Sequence, residues 1–257
     1  MPGNVLITIP ISHYCEKARW ALDRAGIPYE EHPHLQLIHR FAARRAGGGT
    51  TVPVLITPDG VLAESADILA FADERAPEGS RLYPADAGRA AEVRALEHDF
   101  DERLGPEGRA WMYYQLHDRR DLAIQYGCTG VPAWERRAMP FTYPVMIRLI
   151  DRFLQITPES ARRSEDVVRA TFDEVGERLR DGRRYLCGDE FTAADLTFSA
   201  LSAAVLMPPG YGVPLPQPDE VPAGTARVVR ELREHPAGIH ALTMYREERN
   251  RTPALVT

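Results

Sequence analysis

The sequence has little lysine, little cysteine and no long apolar run. Lys17 is the only lysine among 257 residues, so nearly every strong base is an arginine. Three cysteines, at positions 15, 128 and 187, are too few and too widely spaced for a disulfide framework or a cysteine-based zinc site. The longest mainly apolar stretch, residues 196–207, is too short to span a bilayer. These absences argue against a disulfide-stabilised, zinc-binding or membrane-spanning protein.

The sequence also lacks an excess of positive charge. The formal net charge of -6 gives the chain no electrostatic attraction for nucleic acid or an anionic membrane. No basic segment precedes the apolar residues among the first eight, which is unlike a secretory signal. We therefore expect a cytoplasmic protein with neither a nucleic-acid nor a membrane partner.

Strands and helices are predicted to alternate in the first eighty residues. Ser12 is a good helix N-cap and Gly26 suits the left-handed position at the end of that helix. The predicted elements are strands at residues 5–9, 29–35, 51–56 and 61–63 and helices at residues 12–25, 39–45 and 64–73. The order is therefore β-α-β-α-β-β-α.

Two short motifs follow in the second half of this region. Pro53 begins a strand, where its missing N–H favours an edge or a special turn. Twelve residues after Val52, Glu64 and Ser65 begin a helix. A carboxylate can hold an ammonium group there, while a hydroxyl and helix N-terminal amides can hold a carboxylate. A plain helix cap is the alternative interpretation of Glu64-Ser65.

These motifs, in this order, resemble the thioredoxin-like domain of the glutathione transferase superfamily. The resemblance implies a cis bond at Val52-Pro53 that leaves the Val52 backbone facing glutathione. It implies that Glu64 and Ser65 bind the γ-glutamyl end. It also implies that His39 binds the glycine carboxylate, although a solvated helix face is the alternative and neighbouring arginines compete for this role.

Residues 12–15, Ser-His-Tyr-Cys, resemble the loop in which glutaredoxins carry two cysteines. Because Ser12 replaces the first cysteine, a two-thiol cycle within this motif is excluded. The arrangement is similar to serine-type transferases of the theta and zeta classes, which implies that Ser12 donates a hydrogen bond to the glutathione sulfur. Such a bond, worth about 1.5–3 kcal/mol, would lower the thiol pKa by about one to two units.

Cys15 is a candidate redox residue with two competing interpretations. It lies near the positive end of the predicted helix, which favours a lowered thiol pKa and a mixed disulfide with glutathione. A position shielded from solvent would instead raise the pKa and make the thiol inert. The second interpretation leaves Cys15 as a bystander in transfer chemistry.

The remaining sequence predicts an all-helical domain. We expect an α/β thioredoxin-like domain at residues 1–80 and an all-α domain at residues 86–257. Helices are predicted at residues 88–104, 109–124, 143–154 and 158–179, with two more after a proline-rich loop, separated at His235-Pro236. Thr192 and Asp195 form a capping-box pattern that resembles the helix cap of the transferase C-terminal domain.

An aromatic-rich region at residues 105–164 departs from a compact transferase. Its aromatic residues are expected in the core or in an apolar acceptor pocket between the domains. They are Trp111, Tyr113, Tyr114, His117, Tyr126 and Trp134.

The resemblance implies a glutathione transferase that joins glutathione to a small electrophile, with no metal. It further implies a homodimer and a detoxification role. Two alternatives use the same site: glutathione-dependent isomerisation or dehalogenation, and thiol reduction at Cys15. A non-catalytic binding protein with this fold is a third alternative, since fold does not fix function.

Overall fold

The computed structural model describes residues 3–251, and these form a small sheet domain followed by a helical domain. The sheet domain consists of β1 (Asn4–Thr8), α1 (His13–Ala25), β2 (Tyr29–Pro33), α2 (His39–Arg45), β3 (Val54–Thr57), β4 (Gly60–Leu62) and α3 (Ser65–Arg75). The helical domain consists of α4 (Ala87–Asp99), α5 (Gly105–Leu116), α6 (Arg120–Gly127), α7 (Ala133–Leu154), α8 (Pro158–Arg178), α9 (Ala193–Leu206), α10 (Ala223–Glu234) and α11 (Pro236–Glu247).

The sheet has the order β2-β1-β3-β4, with β1 and β2 parallel and the other pairs antiparallel. The predicted order of elements and the predicted fold class are both confirmed. Strand β3 begins at Val54 rather than at residue 51. Pro53 has no N–H to give to the ladder, so the preceding residues form a loop instead.

Helix α1 lies between the two domains. Ser12 caps it by accepting a hydrogen bond from the Cys15 backbone N–H at 3.4 Å, and Gly26 ends it with a φ of 68°. Both predicted ends are therefore confirmed. The helix packs against α3 on one side and α9 on the other, so Trp20 and Leu22 are fully buried. Its N-terminus consequently points to the junction of the domains.

A buried ion-pair cluster fastens α1 to the helical domain. The Lys17 ammonium lies 2.9 Å from a Glu97 oxygen and 2.6 Å from an Asp101 oxygen, and Lys17 is fully buried. Asp101 belongs to a π-helical turn, Phe100–Leu104, between α4 and α5. The only lysine of the chain therefore stabilises the packing of the two domains.

Helix α9 runs through the centre of the helical domain, and all of its residues are buried. The predicted capping box is present, since Asp195 Oδ2 accepts from the Thr192 N–H at 3.0 Å. Asp195 Oδ1 also accepts from the Leu186 N–H at 2.8 Å. One carboxylate therefore caps the helix and secures the preceding loop.

Helix α7 is longer than predicted. It begins at Ala133 rather than at residue 143, with Pro140 and Pro144 inside it. Pro144 has no N–H for the Pro140 carbonyl, and the Arg120 guanidinium donates to that carbonyl instead. A side chain from α6 therefore compensates for a proline that would otherwise break the helix. The predicted helix at residues 109–124 was also wrong in extent, because α5 ends at Leu116 before α6 begins.

The aromatic residues of the 105–164 region have different environments. Trp111 is buried and Tyr143 nearly so, while Tyr113 and Tyr126 line cavities. Trp134, expected in the core or a pocket, is instead 60% exposed on α7. The opposite face of α7 packs on Leu35, which precedes α2, so the burial of this helix is one-sided.

Candidate functional site

A cleft of about 300 Å³ lies between the two domains, at the N-terminus of α1. The sheet domain supplies residues from the β1–α1 loop, from α2 and from the loop before Pro53. The helical domain supplies residues of α5 and α7. The polar side chains in the lining are Ser12, His13, Tyr14, Gln36, His39, Arg40, Thr50, Thr51, Arg109 and Tyr113.

Ser12 lies where the cleft meets the positive end of α1. Its oxygen accepts from the Cys15 N–H, which leaves its own O–H available to a ligand. The helix dipole and the hydroxyl both favour a negatively charged atom at this point. The geometry can therefore stabilise a thiolate or another anion.

The two residues after Ser12 are occupied by contacts to the helical domain. The Tyr14 hydroxyl donates to the Asp101 carbonyl at 2.7 Å, so it is not available to a thiol. His13 Nε2 lies 3.0 Å from the Gly105 carbonyl. Burial, aided by the charge of Arg109, lowers the pKa of His13 to about 3. His13 is thus neutral at pH 7 and donates from Nε2.

Gly105 makes this close contact between the domains possible. A Cβ atom at this position would collide with the hydroxyl and the ring of Tyr14. The absence of a side chain lets the first turn of α1 approach the start of α5. The close packing of α1 on α5 therefore closes the cleft at this end.

The loop before β3 presents backbone to the cleft. The Val52–Pro53 peptide bond is cis, Pro53 is buried and Val52 lines the cleft. Within the described part of the chain, neither backbone polar group of Val52 has a hydrogen-bond partner. Both are available to an extended peptide-like ligand.

His39 also lines the cleft, as the first residue of α2. Burial lowers the pKa of His39 to about 4, so its imidazole is neutral at pH 7 when no ligand is present. Its buried Nδ1 has no partner among residues 3–251. The neutral imidazole can accept a hydrogen bond from a ligand. It can pair with an anion only when that anion stabilises the protonated imidazole.

Glu64 and Ser65 are not among the residues that line the cleft. Glu64 is exposed at the N-cap of α3, without a side-chain capping bond, and Ser65 is buried in the first turn. The predicted site residues therefore form two sets: Ser12, His39 and Val52 meet in one cleft, and Glu64 and Ser65 start a neighbouring helix.

Cys15 faces the interior and not the cleft. Its side chain is fully buried, and burial raises the pKa of its thiol. Both properties favour the interpretation of an inert thiol. A mixed disulfide with glutathione would require this part of α1 to open.

Sequence reasoning missed the helical-domain side of the cleft. Arg109 on α5 lies there, opposite Gln36 and Arg40 of the sheet domain, beside Tyr113, which was expected in the core or in an acceptor pocket. Burial raises the pKa of Tyr113, which keeps its phenol protonated. Arg109 could have been found only as a cation near the start of a helix, because no motif surrounds it.

A second, smaller cavity of about 70 Å³ lies deeper in the helical domain. Its lining is mainly apolar and includes Met139, Tyr143 and Met207. Gln36 and Tyr113 line both this cavity and the cleft, so the two spaces adjoin. An apolar group could extend from the cleft into the inner cavity.

Comparisons with known proteins agree with the fold and the order of domains. Residues 6–80 match the sequence profile of the glutathione S-transferase N-terminal domain, and residues 158–205 match that of the C-terminal domain. The chain belongs to the glutathione S-transferase superfamily. No curated protein sequence matches the chain significantly.

Solved structures of this fold cover nearly the whole chain at low identity. A glutathione S-transferase from Rhodospirillum rubrum is 20% identical over 93% of this chain and 92% of its own, with a TM-score of 0.58. FzlA from C. crescentus is 19% identical over 98% and 95%, with a TM-score of 0.58. A glutathione S-transferase from Pseudomonas fluorescens is 18% identical over 98% of both chains, with a TM-score of 0.58.

Two features are absent from residues 3–251. None of their helices has the length and apolarity needed to cross a membrane. Residues 3–251 also contain no group of three or more histidine, cysteine, aspartate or glutamate side chains arranged for a metal ion.

Proposed function

We propose that the protein is a glutathione transferase that binds glutathione in the interdomain cleft. The observation that carries the proposal is the meeting of Ser12, at the positive end of α1, with the unpaired backbone of Val52. The first suits a thiolate and the second suits the peptide-like body of glutathione. Membership of the transferase superfamily supports the same ligand.

In the proposed mechanism the Ser12 hydroxyl donates to the glutathione sulfur. Amides at the start of α1 add favourable dipoles, so the thiol loses its proton at neutral pH. The thiolate then forms a bond to an electrophilic carbon of the second substrate, and the displaced electron pair departs with a leaving group or, in an addition to a double bond, takes a proton from solvent. The inner cavity offers room for the apolar part of that substrate.

Glu64 and Ser65 are proposed to hold the γ-glutamyl end of glutathione. Their position at the N-terminus of α3 supports binding of its α-carboxylate, and the exposed Glu64 carboxylate can meet its ammonium group. His39 is proposed to bind the glycine carboxylate, with its charged form stabilised by that ligand. The homodimer, the cytoplasmic location and the detoxification role stay predictions.

Calorimetry with glutathione tests this assignment. We expect wild type to bind, and Glu64→Gln to weaken binding by about 1 kcal/mol, roughly fivefold in Kd, because Glu64 is exposed. Glu74→Gln, an exposed change on the same helix, is the matched control and should bind like wild type. Equal affinity of all three proteins would remove Glu64 from the site, and absence of binding in wild type would reject the proposed ligand.

A non-catalytic binding protein is the second candidate function. The similarity to FzlA, at 19% identity, concerns the fold alone, and the fold does not fix whether a protein is catalytic. Glutathione binding without any acceleration of conjugation would support this candidate. The buried thiol of Cys15, by contrast, does not support the thiol reductase alternative.

A further inference from the structure

Arg109 brings a positive charge to the cleft without an opposing charge. Within the described residues it makes no ion pair and no hydrogen bond, and its buried Nε has no partner. Among the described residues, 3–251, no aspartate or glutamate lines the cleft. A partly buried guanidinium without a partner is costly, so its presence points to an anionic ligand.

The surroundings of Arg109 place this charge on the acceptor side of the cleft. Arg109 comes from α5, in the helical domain, and lines the cleft together with His13 and Tyr113. Tyr113 also lines the inner apolar cavity. The cation therefore lies near the passage from the cleft to that cavity.

Arg40 is a second cation in the cleft lining, but its environment differs. Its guanidinium carbon lies 5.4 Å from the centre of the Phe153 ring, within the range of a cation–π contact. Arg40 belongs to α2, beside His39, where the proposed glutathione site lies. Arg109 is therefore the better partner for a group on the second substrate.

On the basis of the proposed transferase function, we propose that the acceptor substrate is an amphipathic monoanion. Its carboxylate pairs with Arg109 and its apolar part, of the size of one aromatic ring or a short alkyl chain, enters the inner cavity. The guanidinium gives the fork-shaped set of donors that a carboxylate prefers. Burial of the apolar remainder of such a molecule in the inner cavity adds to the free energy of binding.

The test is calorimetry on the full chain with an unreactive pair of probes. The first probe is 4-oxo-4-phenylbutanoate, and the second is its primary amide, which has the same shape without the charge. We expect the acid to bind wild type about 10- to 100-fold more tightly than the amide, since a charge-assisted pair is lost in the amide. Arg109→Gln should abolish this preference, whereas Arg109→Lys should restore part of it.

The matched control is Arg148→Gln, which removes an exposed arginine of α7 from the same domain. It should keep the full preference for the acid. Equal binding of acid and amide by wild type would overturn the proposal, as would a preference that survives in Arg109→Gln. Thermal melting shows whether each variant is folded, and the partial rescue by lysine separates a lost charge from a damaged cleft.

Glutathione binding, measured in the same variants, separates this inference from the proposed function. We expect Arg109→Gln to bind glutathione as wild type does. If Arg109→Gln instead weakens glutathione and leaves the preference for the acid intact, Arg109 belongs to the glutathione site and the inference is wrong. If wild type discriminates between the probes but binds no glutathione, the anion site stands and the transferase function fails.

Discussion

The buried flank of helix α1 and the cleft at its N-terminus differ in how their charges are paired. On the side facing the body of the protein, Glu16 lies 2.6 Å from Arg249, and Arg24 lies 3.1 Å from Glu248. Lys17 has two carboxylate partners on the same buried side. At the cleft end, Arg109 has none among the described residues. Charges that serve the fold are neutralised within the chain, so a charge left unpaired indicates where a ligand completes the structure.

The largest expected effect concerns Lys17. Lys17→Met should lower the free energy of unfolding by about 3–5 kcal/mol, because Glu97 and Asp101 stay buried without a counter-charge. Urea unfolding measures the loss. Adding Asp101→Asn should recover part of it, since one uncompensated carboxylate is then removed.

Arg109→Gln is the contrasting variant for this measurement. It breaks no ion pair in the described structure, so its unfolding free energy should match or exceed that of wild type. Equal losses of unfolding free energy in Lys17→Met and Arg109→Gln would remove the distinction between the buried flank of α1 and the cleft.

An intermediate effect is expected from His13 below neutral pH. Its pKa is about 3 in the fold and near 6.5 in the unfolded chain, so the unfolded state binds more protons between these values. Stability is therefore complete above pH 6.5 and decreases as the pH falls, by about 3 kcal/mol at pH 4. His13→Gln should lose correspondingly less stability between pH 7 and pH 4.

The matched control for His13 is His98→Gln, which changes an exposed histidine. It should keep the wild-type dependence of unfolding free energy on pH. A His13→Gln variant with the same acid sensitivity as wild type would show that His13 is not held neutral by its burial. His39, whose pKa is also lowered by burial, contributes to the sensitivity that remains.

Local signals in the sequence predicted the sheet domain well. Ser12 and Gly26 each act through contacts within a few residues, which is why a pattern reveals them. The capping box of Thr192 and Asp195 in the helical domain is local in the same way. Helix α7 was predicted poorly because its continuity depends on Arg120 from another helix. The penalty for Pro144 is visible in the sequence, whereas its compensation is tertiary.

Motifs predicted individual residues of the candidate site on the sheet-domain side, whereas the helical-domain side was predicted only as an aromatic pocket. Ser12, Val52 and His39 belong to the sheet domain, whose loops follow a recurring pattern. Arg109 and the inner cavity arise from the packing of α5, α7 and α9, which no local spacing encodes. The burial of Cys15 likewise follows from the position of α1 between α3 and α9.

The central claim is that Ser12 stabilises the thiolate of glutathione, and its most direct test is a titration of bound glutathione. Thiolate absorbance in the ultraviolet, followed against pH, gives the thiol pKa in wild type and in Ser12→Gly. Glycine is a tolerated N-cap that costs only a few tenths of a kcal/mol, so the fold of α1 is retained. We predict a bound pKa that is about one to two units higher in Ser12→Gly than in wild type. Identical titration curves would contradict the account and leave Ser12 with the role of a helix cap alone.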